Sequence, residues 1–210
     1  GRPLPEGKLY ASNMATLGAW CARYGMKSRM ALVKDDLDEM FQTLKRLLAE
    51  SDAVITSGGA WTGERDMVAR TLDRLGWDQV FHRIRLGPGK AVGFGLFDGK
   101  PVFILPGGPP SNLMGFLQIA LPGLMTLAGH SKPGLPTAPV RLGADLKGRH
   151  VDWTQLVSGT IEARTDLPVF HPIKKTSRLQ SMAEAEAVVA IVEGKTRLAK
   201  GAVVHAQLLI

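Results

Sequence analysis

The sequence predicts an α/β protein: a three-layer α/β/α sandwich with a mostly parallel sheet, followed by a small all-β, barrel-like domain. Short apolar strands alternate with amphipathic helices up to residue 133, a pattern that favours the sandwich. After the Pro- and Gly-rich segment at 132–136, only short β-like runs separated by turns follow. We therefore expect two domains, at residues 1–133 and 134–210.

The helices of the first domain are predicted from apolar side chains that recur every three or four residues. Polar residues are expected to cap two of them: Ser12 or Asn13, and Asp35 or Asp36. A third helix is expected to start around 64–66, and a long fourth helix follows Pro110. Glycines are expected to end the first, third and fourth helices: Gly25, Gly76 and Gly129.

The strands are predicted from short β-branched and aromatic runs bounded by turn residues. In the first domain they cover 28–33, 53–56, 79–86, 92–97 and 101–105, with Asp98-Gly99 as a hairpin turn. In the second domain they cover 140–142, 155–161, 169–172, 187–192 and 203–210, with a helical turn at 181–185.

Composition excludes several classes of function. The formal net charge of +7 is spread along the chain, without the basic run or base-stacking aromatics expected of a nucleic-acid-binding protein. No apolar run reaches the length of a membrane-spanning helix. Cys21 is the single cysteine, so we expect a cytoplasmic protein without an internal disulfide. Its helical spacing with Leu17 and Trp20 indicates a core residue, and the five histidines lack zinc-ligand spacing.

Two stretches share one design, an apolar strand that runs into glycines and then into a helix start. They are 53–66, with Ser57-Gly58-Gly59, and 102–112, with Gly107-Gly108. Glycines let a ligand approach the backbone, and the free N–H groups of a helix start favour an anion. If both loops lie at the carboxyl ends of strands in one sheet, they form a single crevice. The predicted ligand is a phosphate-bearing small molecule.

Several polar side chains near these loops allow two interpretations each. Asp66 either favours the dipole of the helix that it starts or holds Mg²⁺ against a phosphate. Lys90, in a Gly–Pro turn, is either a surface lysine or a phosphate partner. The hydroxyls of Ser57, Thr62 and Ser111 either bind phosphate or cap the local backbone.

The order and spacing of three groups of motifs resemble the molybdopterin-binding domain of the molybdopterin molybdenumtransferase family (MoeA and the gephyrin E domain). They are Ser57-Gly58-Gly59 with Thr62-Gly63-Glu64-Arg65-Asp66; Pro88-Gly89-Lys90 with Gly93-Phe94-Gly95; and Leu105-Pro106-Gly107-Gly108-Pro109 with Ser111. The tail, with 176–185 and 198–201, resembles the C-terminal β-barrel domain of that family.

The resemblance implies an activity and a set of site residues. The family hydrolyses the phosphoanhydride of adenylylated molybdopterin with Mg²⁺ and inserts molybdenum from molybdate into the dithiolene. It implies that Asp66 and Lys90 are catalytic and that Asp66 binds the metal. The cofactor-binding positions that it implies are Ser57, Gly58, Gly59, Thr62, Gly63, Pro88, Gly89, Gly107, Gly108, Ser111 and Ser177. It also implies a homodimer and a molybdopterin adenylyltransferase as partner.

Three departures from the family pattern keep alternatives open. Gly87 stands where the family has a lysine, Ala11 where it usually has an acid, and Gly108 where it has an asparagine. One alternative is a module that binds molybdopterin without full catalytic activity. Another is a molybdopterin adenylyltransferase-like enzyme, although the attached β domain argues against it. Because the family has further domains before this point, we expect a fragment of a longer protein rather than a reduced relative.

Overall fold

The computed structural model of the protein describes residues 3–7, 9–58, 67–173 and 178–209. The helices are α1 (Ser12–Arg23), α2 (Leu37–Glu50), α3 (Met67–Leu75), α4 (Pro109–Gly115), α5 (Leu121–Leu127) and α6 (Arg178–Glu184), and a π-helical segment, Phe116–Ala120, joins α4 to α5. The strands are β1 (Val54–Ser57), β2 (Asp78–His82), β3 (Leu86–Gly87), β4 (Gly93–Phe97), β5 (Lys100–Leu105), β6 (Thr137–Leu142), β7 (Leu146–Lys147), β8 (Thr154–Glu162), β9 (Val169–Pro172), β10 (Ala187–Ile191), β11 (Arg197–Leu198) and β12 (Val203–Leu208).

The first part is a sandwich around a four-stranded sheet of order β1-β5-β4-β2. Alternate residues of β5 face opposite layers, as the two-residue period of a strand requires. Phe103 and Leu105 pack into a cluster with α1, α4 and α5, whereas Val102 and Ile104 pack into a second cluster with α2 and α3. The predicted α/β/α layering is therefore confirmed.

The strand directions differ from the mostly parallel sheet that we predicted. Among the described pairs of this sheet, β1–β5 is parallel, whereas β5–β4 and β4–β2 are antiparallel. The reason is the predicted hairpin between β4 and β5. Asp98 and Gly99 both have positive φ, at 49° and 74°, and such a two-residue turn joins only antiparallel strands.

The predicted cap of α1 is wrong: Ser12 and Asn13 lie inside the helix, and Ala11 precedes it without a side-chain capping bond. The cap of α2 and the glycines after α1, α3 and α5 match the prediction. The Asp36 carboxylate accepts hydrogen bonds from the backbone N–H groups of Asp38 and Glu39, at 3.0 and 2.8 Å, and so caps α2. The glycines expected to end helices have positive φ, the conformation that a C-terminal cap needs: Gly25 (73°), Gly76 (85°) and Gly129 (81°). None of the helices in the described ranges is both long and apolar enough to cross a membrane.

The predicted strand at 28–33 is wrong. Residues 26–34 form neither helix nor strand, because their apolar alternation finds no partner strand. Within the described ranges β1 pairs only with β5, and both β1 and this segment line a groove of about 2190 Å³. Alternation alone does not make a strand when the backbone has no ladder to join.

The second part is a closed five-stranded barrel. Its strands follow the order β10-β12-β6-β9-β8, and β8 pairs with β10 to close the ring. Inward-facing side chains such as Val140, Phe170 and Ile191 fill the interior. The predicted all-β, barrel-like fold is confirmed, while the short ladder β7–β11 was not predicted.

The two parts share packing. Val188 of β10 and Leu135 belong to the same buried cluster as Phe116 and Leu117. In addition, β3 pairs in parallel with β8 of the barrel. The division at 133/134 stays a prediction.

Candidate functional site

The two glycine loops leave the sheet side by side. Ser57, the last residue of β1, is in register with Leu105, the last residue of β5. The Gly58 N–H donates to the Leu105 carbonyl at 2.9 Å, and a Cβ added to Gly107 would lie 3.6 Å from Gly58 Cα. The prediction that both loops emerge at one edge of the sheet is confirmed, and their ligand stays a prediction.

Helix α1 begins at the same edge, so a third segment completes the crevice. The side-chain Nδ2 of Asn13, in the first turn of α1, donates to Ser57 Oγ at 3.1 Å and to the Gly107 carbonyl at 2.9 Å. These bonds connect residues that are 44 and 94 positions apart. They hold α1 and both loops in one arrangement.

A second asparagine also donates a hydrogen bond to Ser57. Asn112, on α4, is 2% exposed, and its Nδ2 donates to Ser57 Oγ at 3.0 Å and to the Pro106 carbonyl at 2.8 Å. Sequence reasoning missed both asparagines as site residues. One signal was available in the sequence. These are the only two asparagines of the chain, and both lie in the first turn of a predicted helix.

The main chain of the two glycine loops is accessible in the crevice. Gly58 has φ of +97°, and no atom lies within 4 Å of a Cβ added to Gly58 or to Gly108. Gly108 has an ordinary extended conformation, with φ of −69° and ψ of 123°. A ligand can therefore reach the main chain at both positions, as expected of glycine loops that bind phosphate.

The Pro88-Gly89-Lys90 turn does not lie at the crevice formed by the two glycine loops. Gly89 packs against the C-terminal end of α4, where an added Cβ would lie 3.3 Å from the Gly115 nitrogen. That end is about 9 Å along the helix axis from Pro109, which follows the second glycine loop. The Lys90 ammonium lies 5.9 Å from the ring centre of Trp153, in the barrel part. The structure thus brings together Ser57, Gly58, Gly107 and Gly108, with Ser111 on the first turn of α4.

Five of the predicted site residues lie outside the described residues: Gly59, Thr62, Gly63, Asp66 and Ser177. The described groups of the crevice are uncharged hydrogen-bond donors and exposed backbone, which suit an anion rather than a cation. No cluster of three or more histidine, cysteine or acidic side chains that could hold a metal occurs in the described part of the chain. The assignment of a metal to Asp66 therefore stays a proposal.

Cys21 behaves as the predicted core residue. It lies buried on α1, in the cluster that includes Leu17 and Phe116. Burial raises the pKa of its thiol, which disfavours the nucleophilic thiolate at neutral pH.

Comparisons with known proteins agree with this fold. The family described as "probable molybdopterin binding domain" matches residues 1–126. The chain is 26% identical to a molybdopterin molybdenumtransferase from Bacillus subtilis over 198 residues, which cover 93% of this chain and 46% of that protein. It is 27% identical to a molybdopterin molybdenumtransferase from Nostoc sp. over 212 residues, which cover 95% of this chain and 48% of that one.

A solved structure extends the likeness to the whole chain. The structure of a molybdopterin biosynthesis MoeA protein from Pyrococcus horikoshii superposes with a TM-score of 0.82 at 27% identity, covering 99% of this chain and 50% of that one. The chain therefore spans about half the length of these relatives. Since the family match covers residues 1–126 and the MoeA-like fold continues through the barrel, the chain belongs to the molybdopterin-binding domain family and is MoeA-like.

Proposed function

We propose that the protein acts in molybdenum cofactor biosynthesis as a molybdopterin molybdenumtransferase, with adenylylated molybdopterin and molybdate as substrates. The observation that carries the proposal is the crevice where Ser57-Gly58 and Gly107-Gly108 meet at one sheet edge. Its donors and open backbone fit a phosphate. Membership of a molybdopterin-binding family supports a pterin as the rest of the ligand.

Each group in the crevice has a role in this proposal. The Ser57 hydroxyl and the Gly107 N–H hold phosphate oxygens, since hydrogen bonds to a charged acceptor are the stronger kind. Gly58, whose N–H donates to the Leu105 carbonyl, leaves room for the ligand. Asp66 would hold Mg²⁺, and a bound Mg²⁺ would supply neutralisation of phosphate charge. Lys90 acts on the pterin side of the ligand, if that ligand extends along α4 towards Trp153.

We further propose the family's assembly for the full-length protein, a homodimer that receives its substrate from a molybdopterin adenylyltransferase. The support is the likeness to molybdopterin molybdenumtransferases over more than nine-tenths of this chain.

A binding module without full catalytic activity remains the second candidate. It is favoured by the absence of charged side chains among the described groups that contact Ser57 and by the position of Lys90 against Trp153. The two candidates differ in turnover rather than in ligand.

The test is a pair of measurements on the full-length protein. Binding of adenylylated molybdopterin is measured by equilibrium titration, and AMP release is then followed with molybdate and Mg²⁺. The enzyme proposal predicts both, and it predicts that Asp66→Ala abolishes AMP release while retaining ligand binding. Binding without AMP release would identify the binding module, and an absence of binding would overturn both candidates.

A further inference from the structure

We propose that Asn13 and Asn112 fix Ser57 as a hydrogen-bond donor, so that the crevice selects a ligand atom that only accepts hydrogen bonds. This inference rests on the proposed function, because that atom is an oxygen of the phosphate carried by the pterin. Asn13 and Asn112 are then positioning residues, and Ser57 is the residue that contacts the ligand.

The orientation of each carboxamide is determined by a backbone carbonyl. A carbonyl oxygen only accepts hydrogen bonds, so the nitrogen of Asn112 must face the Pro106 carbonyl at 2.8 Å. For the same reason the nitrogen of Asn13 must face the Gly107 carbonyl at 2.9 Å. Rotating either amide by 180° would place two oxygens against each other. Each NH₂ group therefore has one hydrogen left, and both remaining hydrogens meet Ser57 Oγ, at 3.0 and 3.1 Å.

The consequence for Ser57 follows from the capacity of a hydroxyl. A serine oxygen has two acceptor lone pairs and one hydrogen to donate. Both lone pairs are occupied by the two amides, and the hydrogen cannot point towards either of them. Among the described residues no acceptor takes this hydrogen. Because the Ser57 side chain is exposed at the sheet edge, its O–H points to the crevice.

The arrangement discriminates by chemistry rather than by size. A phosphate oxygen accepts the Ser57 hydrogen, whereas an ammonium, amide or protonated hydroxyl donor finds no free lone pair there. Asn112 is 2% exposed and its NH₂ group is fully engaged. Breaking either bond would leave a buried polar group unsatisfied. The serine is thus held in a donor state before the ligand arrives.

The experiment measures a preference rather than an affinity. Molybdopterin and the same pterin after phosphatase treatment are titrated anaerobically into the protein, and the ratio of their dissociation constants gives the preference for phosphate. The variants are Ser57→Ala, Asn112→Leu and the double variant. Asn13→Ala, alone and combined with Ser57→Ala, repeats the test at a less buried position. Thr126→Ala is the control, since its hydroxyl bonds only to the Pro122 carbonyl of its own helix.

We expect Ser57→Ala to lower the preference for phosphate by about tenfold to a hundredfold, the range for one hydrogen bond to a charged group. Asn112→Leu or Asn13→Ala should lower it in the protein that contains Ser57, but not further when Ser57 is already alanine. Thr126→Ala should leave it unchanged.

The outcomes separate this inference from the proposed function. If the protein binds phosphorylated pterin but Ser57→Ala keeps the full preference, the donor role of Ser57 is wrong and the function stands. If the asparagine variants lower the preference equally with and without Ser57, they do not act through the serine, and the positioning role is wrong. If the unmodified protein binds neither form, the proposed function fails and the inference fails with it.

Discussion

At the scale of single residues, Gly58 and Gly108 lie at the same sheet edge for different physical reasons. Gly58 has φ of +97°, a region that side-chain-bearing residues rarely adopt. Gly108 has an ordinary extended backbone and open space where a Cβ would be. Only the first of these positions therefore requires glycine for its conformation.

This difference gives a prediction for a matched pair of variants. Gly58→Ala should destabilise the protein by about 1–2 kcal/mol through backbone strain, whereas Gly108→Ala should change stability by less than about 0.5 kcal/mol. Chemical denaturation of both variants provides the measurement. Equal losses of stability would contradict the requirement for glycine that we derive from the backbone conformation at Gly58.

The site residues that sequence reasoning missed were missed for a structural reason. Asn13 was considered only as a helix cap, and Asn112 was read only as part of its loop. Their shared partner, Ser57, is 44 and 55 positions away. Such bonds depend on how α1 and α4 pack against β1, which no local pattern encodes. By contrast, the meeting of the two loops was predictable, because the carboxyl ends of neighbouring parallel strands lie at one edge.

At the scale of elements, the β4–β5 hairpin needs glycine at position 95 because there is no space for a side chain. The backbone conformation of Gly95 does not itself require glycine. A Cβ on Gly95 would collide with the Asp78 carbonyl oxygen and with the ring of Trp77. Trp77 is buried, and its Nε1 donates to Asp73 Oδ1 at 2.8 Å, so the ring cannot move away at low cost.

We therefore expect Gly95→Ala to destabilise the protein by about 2–3 kcal/mol, as overpacking of a core does. Gly108→Ala is again the control, because its added methyl group meets open space. Urea denaturation followed by Trp fluorescence measures the difference. A loss below about 0.5 kcal/mol would mean that Trp77 shifts freely.

The β7–β11 ladder of the barrel part is held by a carboxylate. Asp145 accepts from the Lys200 backbone N–H and from the Arg197 guanidinium, both at 2.8 Å. The backbone hydrogen bond from Lys200, followed by that from Arg197, lowers the pKa of Asp145 below its usual value. A carboxylate with a lowered pKa stabilises the fold above its ordinary pKa, and this stability is lost as the pH falls through the lowered value.

The expected result is a pH-dependent effect of Asp145→Asn. The variant should have a lower Tm than the unmodified protein at pH 7, and the difference should shrink as the solution is acidified below the ordinary range of an aspartate. Asp52→Asn, at an exposed bend before β1, is the control for removal of a surface carboxylate, and its Tm at pH 7 should equal that of the unmodified protein. Thermal melts at a series of pH values measure this, and a constant difference at all pH values would contradict the role of the carboxylate.

Elements were predictable where local chemistry and packing agree. The Asp36 cap of α2 and the hairpin at Asp98-Gly99 were predictable because each depends on neighbouring residues alone. The strand expected at 28–33 was not, because a strand also needs a partner, and among the described strands none pairs with this segment. The short β7–β11 ladder has two residues in each strand, too few for a periodic pattern to be detected.

At the scale of the whole molecule, the sandwich and the barrel are joined by a shared core. Neighbouring residues of β10 face different cores: Val188 packs with the α1–α4–α5 cluster, and Val189 packs inside the barrel. Both are 1% exposed. The carboxamides of Gln118 and Gln207 also exchange hydrogen bonds across the junction, at 2.7 and 3.1 Å.

This shared core predicts that the two parts unfold in one transition. Val188→Ala and Val189→Ala should each cost about 2 kcal/mol, and each should lower the unfolding midpoint of both parts equally. Hydrogen exchange with mass spectrometry in increasing urea can follow peptides of β5 and of β8 in the same sample. If Val189→Ala lowered the midpoint of the barrel peptides alone, the barrel would be an independent folding unit. In that case the packing of Val188 against the sandwich would contribute little to stability. Val188 and Val189 are adjacent on β10 but belong to different cores, so the two variants test the coupling between the cores directly.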